Sequence, residues 1–219
     1  MTGIEFFRCV DPSGDSTSKK RHNLPHWTQG ETCVFVTFRL RDSLPQTKLR
    51  IWQDEREEWL AAHPEPWDES AKIEYGKMFG ARLDEWLDAG EGSCVLDSPS
   101  VRAIVSDEFH RHDGELYALH AFVVMPNHVH VVFSPFSSVG VSKILQLWKG
   151  RSAHEINRRL GKSGAVWQRE YWDRLVRDGR HFLRVVNYIR RNPARAGRTD
   201  IPVFVQSGLS ESLEIGLPA

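Results

Sequence analysis

The sequence has few of the features that mark secreted or membrane proteins. Its 219 residues include only three cysteines, Cys9, Cys33 and Cys94, which are odd in number and too far apart for a zinc knuckle. No apolar run approaches the roughly 20 residues that cross a bilayer, and the first 20 residues contain no hydrophobic signal-peptide core. We therefore expect reduced cysteines and a cytoplasmic protein without a membrane partner.

The composition is that of an ordinary globular protein. Hydrophobic residues make up 40% and charged residues 26% of the chain, and the mean hydropathy is -0.44. These values exclude collagen-like, low-complexity and wholly disordered proteins. The length suits one domain, or one domain with an appendage.

Equal numbers of acidic and basic residues conceal an uneven charge distribution. Residues 54–118 contain 17 acidic and 6 basic residues, whereas residues 140–200 contain 15 basic and 5 acidic residues. A basic face is typical of proteins that bind polyanions such as nucleic acids. Solvated helix faces would give the same pattern, so charge alone does not decide between these interpretations.

Hydrophobic periodicity and turn residues predict an alternation of strands and helices. The predicted elements are a strand at Cys33–Leu40, a helix at Gln46–Ala62, a helix after Ser98-Pro99, a hairpin of Leu116–Val124 and His128–Phe133, a helix at Ser142–Leu160, a strand within Val166–Val176, and a last helix that stops at Asn192-Pro193. This order predicts an α+β fold, a ferredoxin-like antiparallel sheet with helices packed on it.

Two histidines alternate along the second strand of the predicted hairpin. Side chains alternate between the faces of a strand, so His128 and His130 project from one face while Val129 and Val131 project from the other. Neighbouring imidazoles can chelate one divalent ion, and we expect them on a solvent-reachable face. Two half-exposed strand histidines without a ligand remain the alternative.

The last predicted helix carries a tyrosine and an asparagine on one face. Tyr188 and Asn192 are four residues apart, and Arg184 and Arg195 lie close to the same line. Neighbouring guanidinium groups would make a phenol easier to ionise and would contact a phosphate. The alternative is a half-buried tyrosine and an asparagine that caps the helix before Pro193.

A histidine pair, a tyrosine and an amide on a basic domain suit metal-assisted cleavage of single-stranded DNA. Three strings of the sequence also resemble the REP-associated tyrosine transposases, a branch of the HUH single-strand transposase and nuclease superfamily with IS200-like transposases. They are Met-Pro-Asn-His-Val-His at 125–130, Val-Trp-Gln at 166–168 and Tyr-Ile-x-x-Asn-Pro at 188–193. The resemblance covers approximately residues 25–197.

The resemblance implies specific roles for these residues. His128 and His130 would be metal ligands, Asn192 a third ligand, and Tyr188 the nucleophile that forms a 5′-phosphotyrosine link and frees a 3′-hydroxyl. The implied cofactor is Mg²⁺ or Mn²⁺, and the implied partner is single-stranded or hairpin DNA. The oligomeric state is left open, with a homodimer as one option.

Tyr171 is a second candidate nucleophile. We favour Tyr188, because only Tyr188 has an amide side chain one helical turn away, whereas packing or base stacking would explain Tyr171. Basic residues near the predicted site are candidates for contacts with the DNA backbone. They are Lys143, Lys149, Arg151, Arg158, Arg169, Arg174, Arg177, Arg184 and Arg195.

The predicted organisation has three parts. Residues 1–25 form a flexible lead-in, residues 26–197 the transposase-like HUH domain, and residues 198–219 a loosely ordered tail. An acidic insertion of the domain at about residues 63–93 has helical turns around Phe79–Leu87. Because it would repel DNA, we expect it to lie away from the cleft or to limit access to it.

Two other functions stay open. A nucleic-acid-binding module could keep the fold without cleaving, and a metal-dependent phosphodiesterase could use water as the nucleophile. The presence of His128, His130 and Tyr188 together favours the tyrosine enzyme.

Overall fold

The structure is a computed structural model that describes residues 17–21, 24–28, 31–64, 66–136, 139–207 and 209. The proposed lead-in therefore lies mostly outside the described residues. The elements in chain order are β1 Thr17–Arg21, β2 Leu24–Thr28, β3 Val34–Arg39, α1 Gln46–Ala62, α2 Glu69–Tyr75, a π-helical turn Gly76–Ala81, α3 Arg82–Asp88, a 3₁₀ turn Val95–Asp97, α4 Pro99–His110, β4 Tyr117–Val124, β5 His128–Pro135, α5 Val141–Leu160, β6 Trp172–Leu175, α6 Gly179–Arg195 and β7 Val203–Val205.

Five strands form the main antiparallel sheet, in the order β6-β3-β5-β4-β7. The first four strands of this order, with the helices between them, have the ferredoxin-like arrangement, because β3 lies between β5 and β6 and the β4–β5 hairpin extends the sheet. The predicted α+β fold is confirmed. The backbones of β1 and β2 form a separate antiparallel pair.

The two faces of the sheet carry different helices. On one face, Val129, Val131 and Phe133 of β5 join the largest apolar cluster with α4 and α5, where Trp148 is buried. On the other face, Val132 joins a smaller cluster with Val186 and other residues of α6. The alternation along β5 thus assigns consecutive residues to opposite faces, as the sequence predicted.

The acidic insertion shares a small aromatic core with α1 and β6. Trp52 and Trp59 of α1 pack with Phe79, and Trp172 of β6 packs against the same group. The insertion ends near Gly92, whose φ is +90° and where a Cβ atom would clash with the carbonyl oxygen of Asp42. Only glycine allows this close approach, so the end of the insertion packs directly against the loop after β3.

The start of the last helix follows a clear capping residue, but its end differs from the prediction. The Asp178 carboxylate caps α6 by accepting a hydrogen bond from the backbone N–H of His181 at 2.6 Å. The predicted stop at Asn192-Pro193 is wrong, because α6 continues through Pro193 to Arg195. A proline in the last turn removes only one of the final helical hydrogen bonds, and its carbonyl accepts from the N–H of Arg198 at 2.8 Å.

A fifth strand lies within the segment that was expected to be a loose tail. β7 pairs with the outer edge of β4, and Phe204 stacks on Phe122 with ring centroids 5.1 Å apart. The three residues Val-Phe-Val favour a strand, but they are too few to be recognised without their partner. Among the described residues, no helix is both long and apolar enough to cross a membrane.

Candidate active site

The two histidines of β5 face each other across a short gap. The Nε2 atoms of His128 and His130 lie 3.1 Å apart, and the two rings are inclined by 78°. Burial lowers the pKa of His128 to about 3 and lowers that of His130 well below its usual range. Both imidazoles are therefore neutral at pH 7, and each keeps one unprotonated nitrogen that can bind a cation.

The opposite ring nitrogens are held by two polar neighbours. His128 Nδ1 lies 2.8 Å from the side-chain oxygen of Asn127, and His130 Nδ1 lies 2.8 Å from the hydroxyl of Thr37 on β3. The Asn127 amide nitrogen donates to the carbonyl oxygen of Glu91, which leaves the amide oxygen to accept from His128. A proton on His128 Nδ1 leaves the lone pair on its Nε2, the atom that faces His130.

The histidine pair is more deeply buried than the sequence indicated. His128 is 0% and His130 1% exposed, so the expectation of a solvent-reachable face is wrong. α6 covers this face, and the ring of Phe35 stacks on His130. The alternation of a strand predicts which side chains share a face, but not what covers that face.

Tyr188 and Asn192 of α6 meet the histidine pair, as their shared helix face predicted. The Tyr188 hydroxyl lies 3.4 Å from His130 Nε2, and the Asn192 amide nitrogen lies 3.4 Å from the same hydroxyl. Asn192 is fully buried, and its side-chain oxygen has no hydrogen-bond partner among the described residues. One strand and one helix thus bring all four predicted site residues together.

Two carboxylates of the acidic insertion complete this arrangement. Asp84 and Asp88 are one turn apart on α3, and both act electrostatically on Tyr188. Asp88 Oδ1 lies 3.9 Å from His128 Nε2, and this buried oxygen has no hydrogen-bond partner within the described part of the chain. Sequence reasoning missed both residues, because only their i, i+4 spacing was visible and not the place where α3 docks.

The phenol of Tyr188 is harder to ionise than the sequence predicted. Burial raises its pKa well above the usual range, and the nearby Asp84 and Asp88 carboxylates add to this rise. Arg195 opposes the rise, with its guanidinium 5.5 Å from the centre of the tyrosine ring. The prediction that nearby arginines lower the pKa of Tyr188 is therefore wrong, because burial and two carboxylates together outweigh the effect of Arg195.

The side chains at this site fit a divalent cation. No group of three His, Cys, Asp or Glu side chains among the described residues is arranged to hold a metal, so a third ligand has to be of another type. The unpartnered oxygen of Asn192 is such a donor, and the Nε2 atoms of the histidine pair lie 3.1 Å apart. Asp88 adds negative charge beside His128. The oxygen of Asn192 suits a hard cation such as Mg²⁺ or Mn²⁺, which two imidazoles would hold only weakly.

Tyr171 lies in a different environment. Its hydroxyl is 3.1 Å from the hydroxyl of Ser142 on α5, and the Lys149 ammonium lies 5.8 Å from the centre of its ring. Its ring packs at the edge of the large apolar cluster, on the face of the sheet away from His128. This packing agrees with the interpretation of Tyr171 as a structural residue.

The basic residues predicted to contact DNA lie on both faces of the sheet. Arg174 projects from β6 on the face of the histidines, because its register partner is Phe35, and it acts electrostatically on Asp84 together with Arg195. Residues on α5 lie on the opposite face, where Lys149 donates to the carbonyl oxygens of Gln168 and Arg169. The remaining candidates are exposed: Lys143, Arg151, Arg158 and Arg169 on or near α5, and Arg177 and Arg184 at the start of α6.

Residues 97–192 match the family model described as Transposase IS200 like. The resemblance to the IS200-like transposases is confirmed. The matched range includes His128, His130, Tyr188 and Asn192, but it excludes the acidic insertion with Asp84.

Two solved structures are similar to this chain at low identity. One is a REP-associated tyrosine transposase bound to a REP hairpin, with 14% identity, 84% of this chain and 76% of that chain covered, and a TM-score of 0.43. The other is a candidate transposase from Deinococcus radiodurans R1, with 16% identity, 80% and 98% covered, and a TM-score of 0.33. No curated protein matches the sequence at a significant level.

Proposed function

We propose that this protein is a metal-dependent tyrosine transposase that cleaves and rejoins single-stranded or hairpin DNA through a 5′-phosphotyrosine intermediate. The observation that supports this most strongly is the position of the Tyr188 hydroxyl, 3.4 Å from His130 Nε2 within the same chain. A nucleophile beside a potential metal site is the arrangement that phosphoryl transfer to a side chain needs. We further propose that the enzyme acts in the cytoplasm.

Three residues would hold the ion. His128 and His130 offer unprotonated Nε2 atoms, and Asn192 offers a buried oxygen without another partner. A bound Mg²⁺ or Mn²⁺ would supply positive charge that polarises the scissile phosphate. Asn127 and Thr37 fix the two rings through their Nδ1 atoms, which keeps the Nε2 lone pairs directed at the ion.

Tyr188 carries the transfer itself. Its oxygen forms a bond to phosphorus while the bond from phosphorus to the 3′ oxygen breaks, so the 5′ end of the DNA becomes attached to the protein and a 3′-hydroxyl is freed. The attached strand is rejoined when a 3′-hydroxyl attacks the phosphotyrosine in the reverse step. Because its pKa is raised, Tyr188 is a neutral phenol before DNA binds, and the site has to remove its proton during attack.

The basic residues on the face of the site are the best candidates for guiding DNA. Arg174 and Arg195 flank Tyr188 and Asp84, and Arg195 covers the tyrosine ring. Phosphate contacts of this kind make binding fall steeply with added salt. The proposal that the substrate is single-stranded or hairpin DNA rests on the sequence resemblance and on the basic segment of residues 140–200.

The proposal is tested by trapping the covalent adduct. A labelled oligonucleotide with a hairpin and single-stranded flanks is incubated with the protein and Mn²⁺, and a denaturing gel separates free DNA from protein-linked DNA. We expect an adduct with the native protein and with Tyr171→Phe, and none with Tyr188→Phe.

Other outcomes would favour the remaining functions. DNA binding without cleavage by the native protein would favour a silent binding module. Cleavage without an adduct, and unaffected by Tyr188→Phe, would favour a phosphodiesterase that uses water. An adduct that survives Tyr188→Phe and disappears in Tyr171→Phe would make Tyr171 the nucleophile.

A further inference from the structure

A small pocket lies beside the histidine pair, between β3 and the acidic insertion. It is lined by Thr37 and Arg39 of β3, by residues of α1, by the segment 168–172, and by Leu83 and Leu87 of α3. Its volume is about 50 Å³, whereas a single water molecule needs roughly 10–15 Å³. The pocket is partly open to solvent, so it can take the edge of a flat ring while the rest of the ligand stays outside.

The pocket adjoins the proposed reaction site. The hydroxyl of Thr37 lies 2.8 Å from His130 Nδ1, and Arg39 is the register partner of His128 on the neighbouring strand. Directly opposed residues of an antiparallel pair project from the same face, with Cβ atoms about 4.5–5.5 Å apart. A ligand in this pocket therefore lies next to the histidine pair.

Arg39 brings a positive charge to the pocket without a counter-ion. The residue is 7% exposed, and its Nη1 atom donates to the Ser43 hydroxyl at 3.1 Å and to the carbonyl oxygen of Leu40 at 3.3 Å. Its Nε and Nη2 atoms have no hydrogen-bond partner, and its guanidinium no ion-pair partner, among the residues that the structure describes. A buried guanidinium with unused donors can bind a ligand that presents acceptors.

Glu170 brings an acceptor to the same pocket. Its Oε2 atom is buried and lacks a hydrogen-bond partner within the described ranges of the chain. An acidic side chain beside Arg39 would repel a phosphate, so the backbone of DNA does not suit this pocket. The two unsatisfied side chains instead fit a ligand whose edge carries both acceptors and N–H donors.

We propose that this pocket binds an unpaired guanine base next to the cleaved bond, with Arg39 donating to guanine O6 and N7 and Glu170 accepting from its N1–H and N2–H groups. This inference rests on the proposed function and adds a base preference to it. Arginine paired with O6 and N7 is the commonest base-specific contact of proteins with DNA. Adenine has an amino group in place of O6, and thymine has neither N7 nor an amino group.

The apolar wall of the pocket suits the ring of a base. Trp52 and Trp172 line it, with ring centroids 5.8 Å apart and planes inclined by 61°, and leucines of α3 complete it. Aromatic contacts favour single-stranded DNA with little regard to the base, so the preference for guanine has to come from Arg39 and Glu170. The acidic insertion would then help to form a base-binding pocket, not only repel DNA.

The test compares two short single strands of equal length, one of thymidine alone and one with a single central guanine. Fluorescence anisotropy at one salt concentration measures both affinities, because backbone contacts depend on salt. A good bidentate contact discriminates between bases by about 5- to 150-fold. We expect the strand with guanine to bind the native protein at least about 5-fold more tightly.

Two variants separate the base contact from general electrostatics. Arg39→Met should remove the preference for guanine. Arg41→Met removes the same charge from an exposed position of the loop after β3, so it should weaken both strands equally and keep the preference. Glu170→Met removes the acceptor and should also reduce the preference.

Modified bases test each contact without changing the protein. 7-Deazaguanine lacks the N7 acceptor and hypoxanthine lacks the 2-amino group, so each should bind the native protein more weakly than guanine. Replacing N7 should have no further effect in Arg39→Met, and removing the 2-amino group should have none in Glu170→Met. These strands also provide the test if Arg39→Met fails to fold, which circular dichroism would detect.

Several results would overturn the proposal. They are equal affinity of the native protein for the two strands, no binding of either strand, tighter binding of a single adenine or cytosine, and a guanine preference that survives in both Arg39→Met and Glu170→Met. The adduct assay separates this failure from that of the proposed function. An adduct on Tyr188 without a guanine preference refutes only the pocket, whereas a guanine preference without any adduct refutes the enzyme and supports the pocket.

Discussion

The two faces of the central sheet use the same strands for opposite purposes. On one face, Val129, Val131 and Phe133 pack against α4 and α5 without polar interruption. On the other face, His128 and His130 lie under α6 beside Tyr188. Alternate positions of one strand therefore carry core side chains and residues of the proposed site, and moving by one residue along β5 should change whether a mutation affects stability or the proposed activity.

Both faces are buried, but on the face of the histidines some polar atoms lack hydrogen-bond partners. The imidazole Nδ1 atoms have partners, whereas the side-chain oxygens of Asn192 and Asp88 have none among the described residues. Leaving a buried polar atom without a partner costs about 1 to 3 kcal/mol. This free-energy cost is consistent with side-chain oxygens that gain a partner only when a ligand binds.

The largest effect should follow from removing a histidine of the site. His130→Ala removes one nitrogen of the proposed ion site, and several kcal/mol of lost charge stabilisation correspond to a rate reduction of at least about 1,000-fold. His154→Ala is the control, because the His154 side chain is 78% exposed on α5. The adduct assay measures both variants, and normal cleavage by His130→Ala with Mg²⁺ present would refute the metal role.

The matching change on the other face should affect stability instead. Phe133→Ala empties a fully buried position that packs against Trp148 and Tyr117, and such a deletion costs about 3 to 5 kcal/mol of unfolding free energy. Urea denaturation measures the loss. At temperatures where the variant remains folded it should still form the adduct, and an inactive but stably folded variant would break the division between the faces.

A smaller effect should come from the partner of His130 on β3. Thr37→Val removes the hydroxyl 2.8 Å from His130 Nδ1 while nearly preserving the shape of the side chain. Loss of such a contact lowers metal affinity by about 10- to 100-fold. Calorimetric titration with Mn²⁺ would measure the change, and an unaltered affinity would mean that Thr37 does not orient the imidazole.

The smallest effect concerns a buried histidine of the site face that takes no part in the chemistry. His120 on β4 contacts the Ser134 hydroxyl at 2.8 Å, and burial lowers its pKa. The unfolded chain takes up a proton near pH 6.5 while the folded chain resists it, so stability is complete above that pH and declines below it. Melting temperatures between pH 4 and 8 should depend less on pH in His120→Gln, and an identical slope would contradict this.

Local patterns predicted most of the fold and half of the site. α1 spans Gln46–Ala62 as predicted, because its periodicity and flanking proline are local signals. The pairing of β7 and the continuation of α6 past Pro193 depend on packing that no short window contains. Asp88 could not be predicted, since it lies near His128 only because α3 docks there.

The position of the covalent link tests the account most directly. After reaction with the hairpin oligonucleotide and nuclease digestion, trypsin releases residues 185–190 with Tyr188 and residues 170–174 with Tyr171. Mass spectrometry should find the nucleotide mass added to residues 185–190 and residues 170–174 unmodified. Modification of residues 170–174 instead would contradict the account, because it would place the reaction on the opposite side of the sheet from the histidine pair.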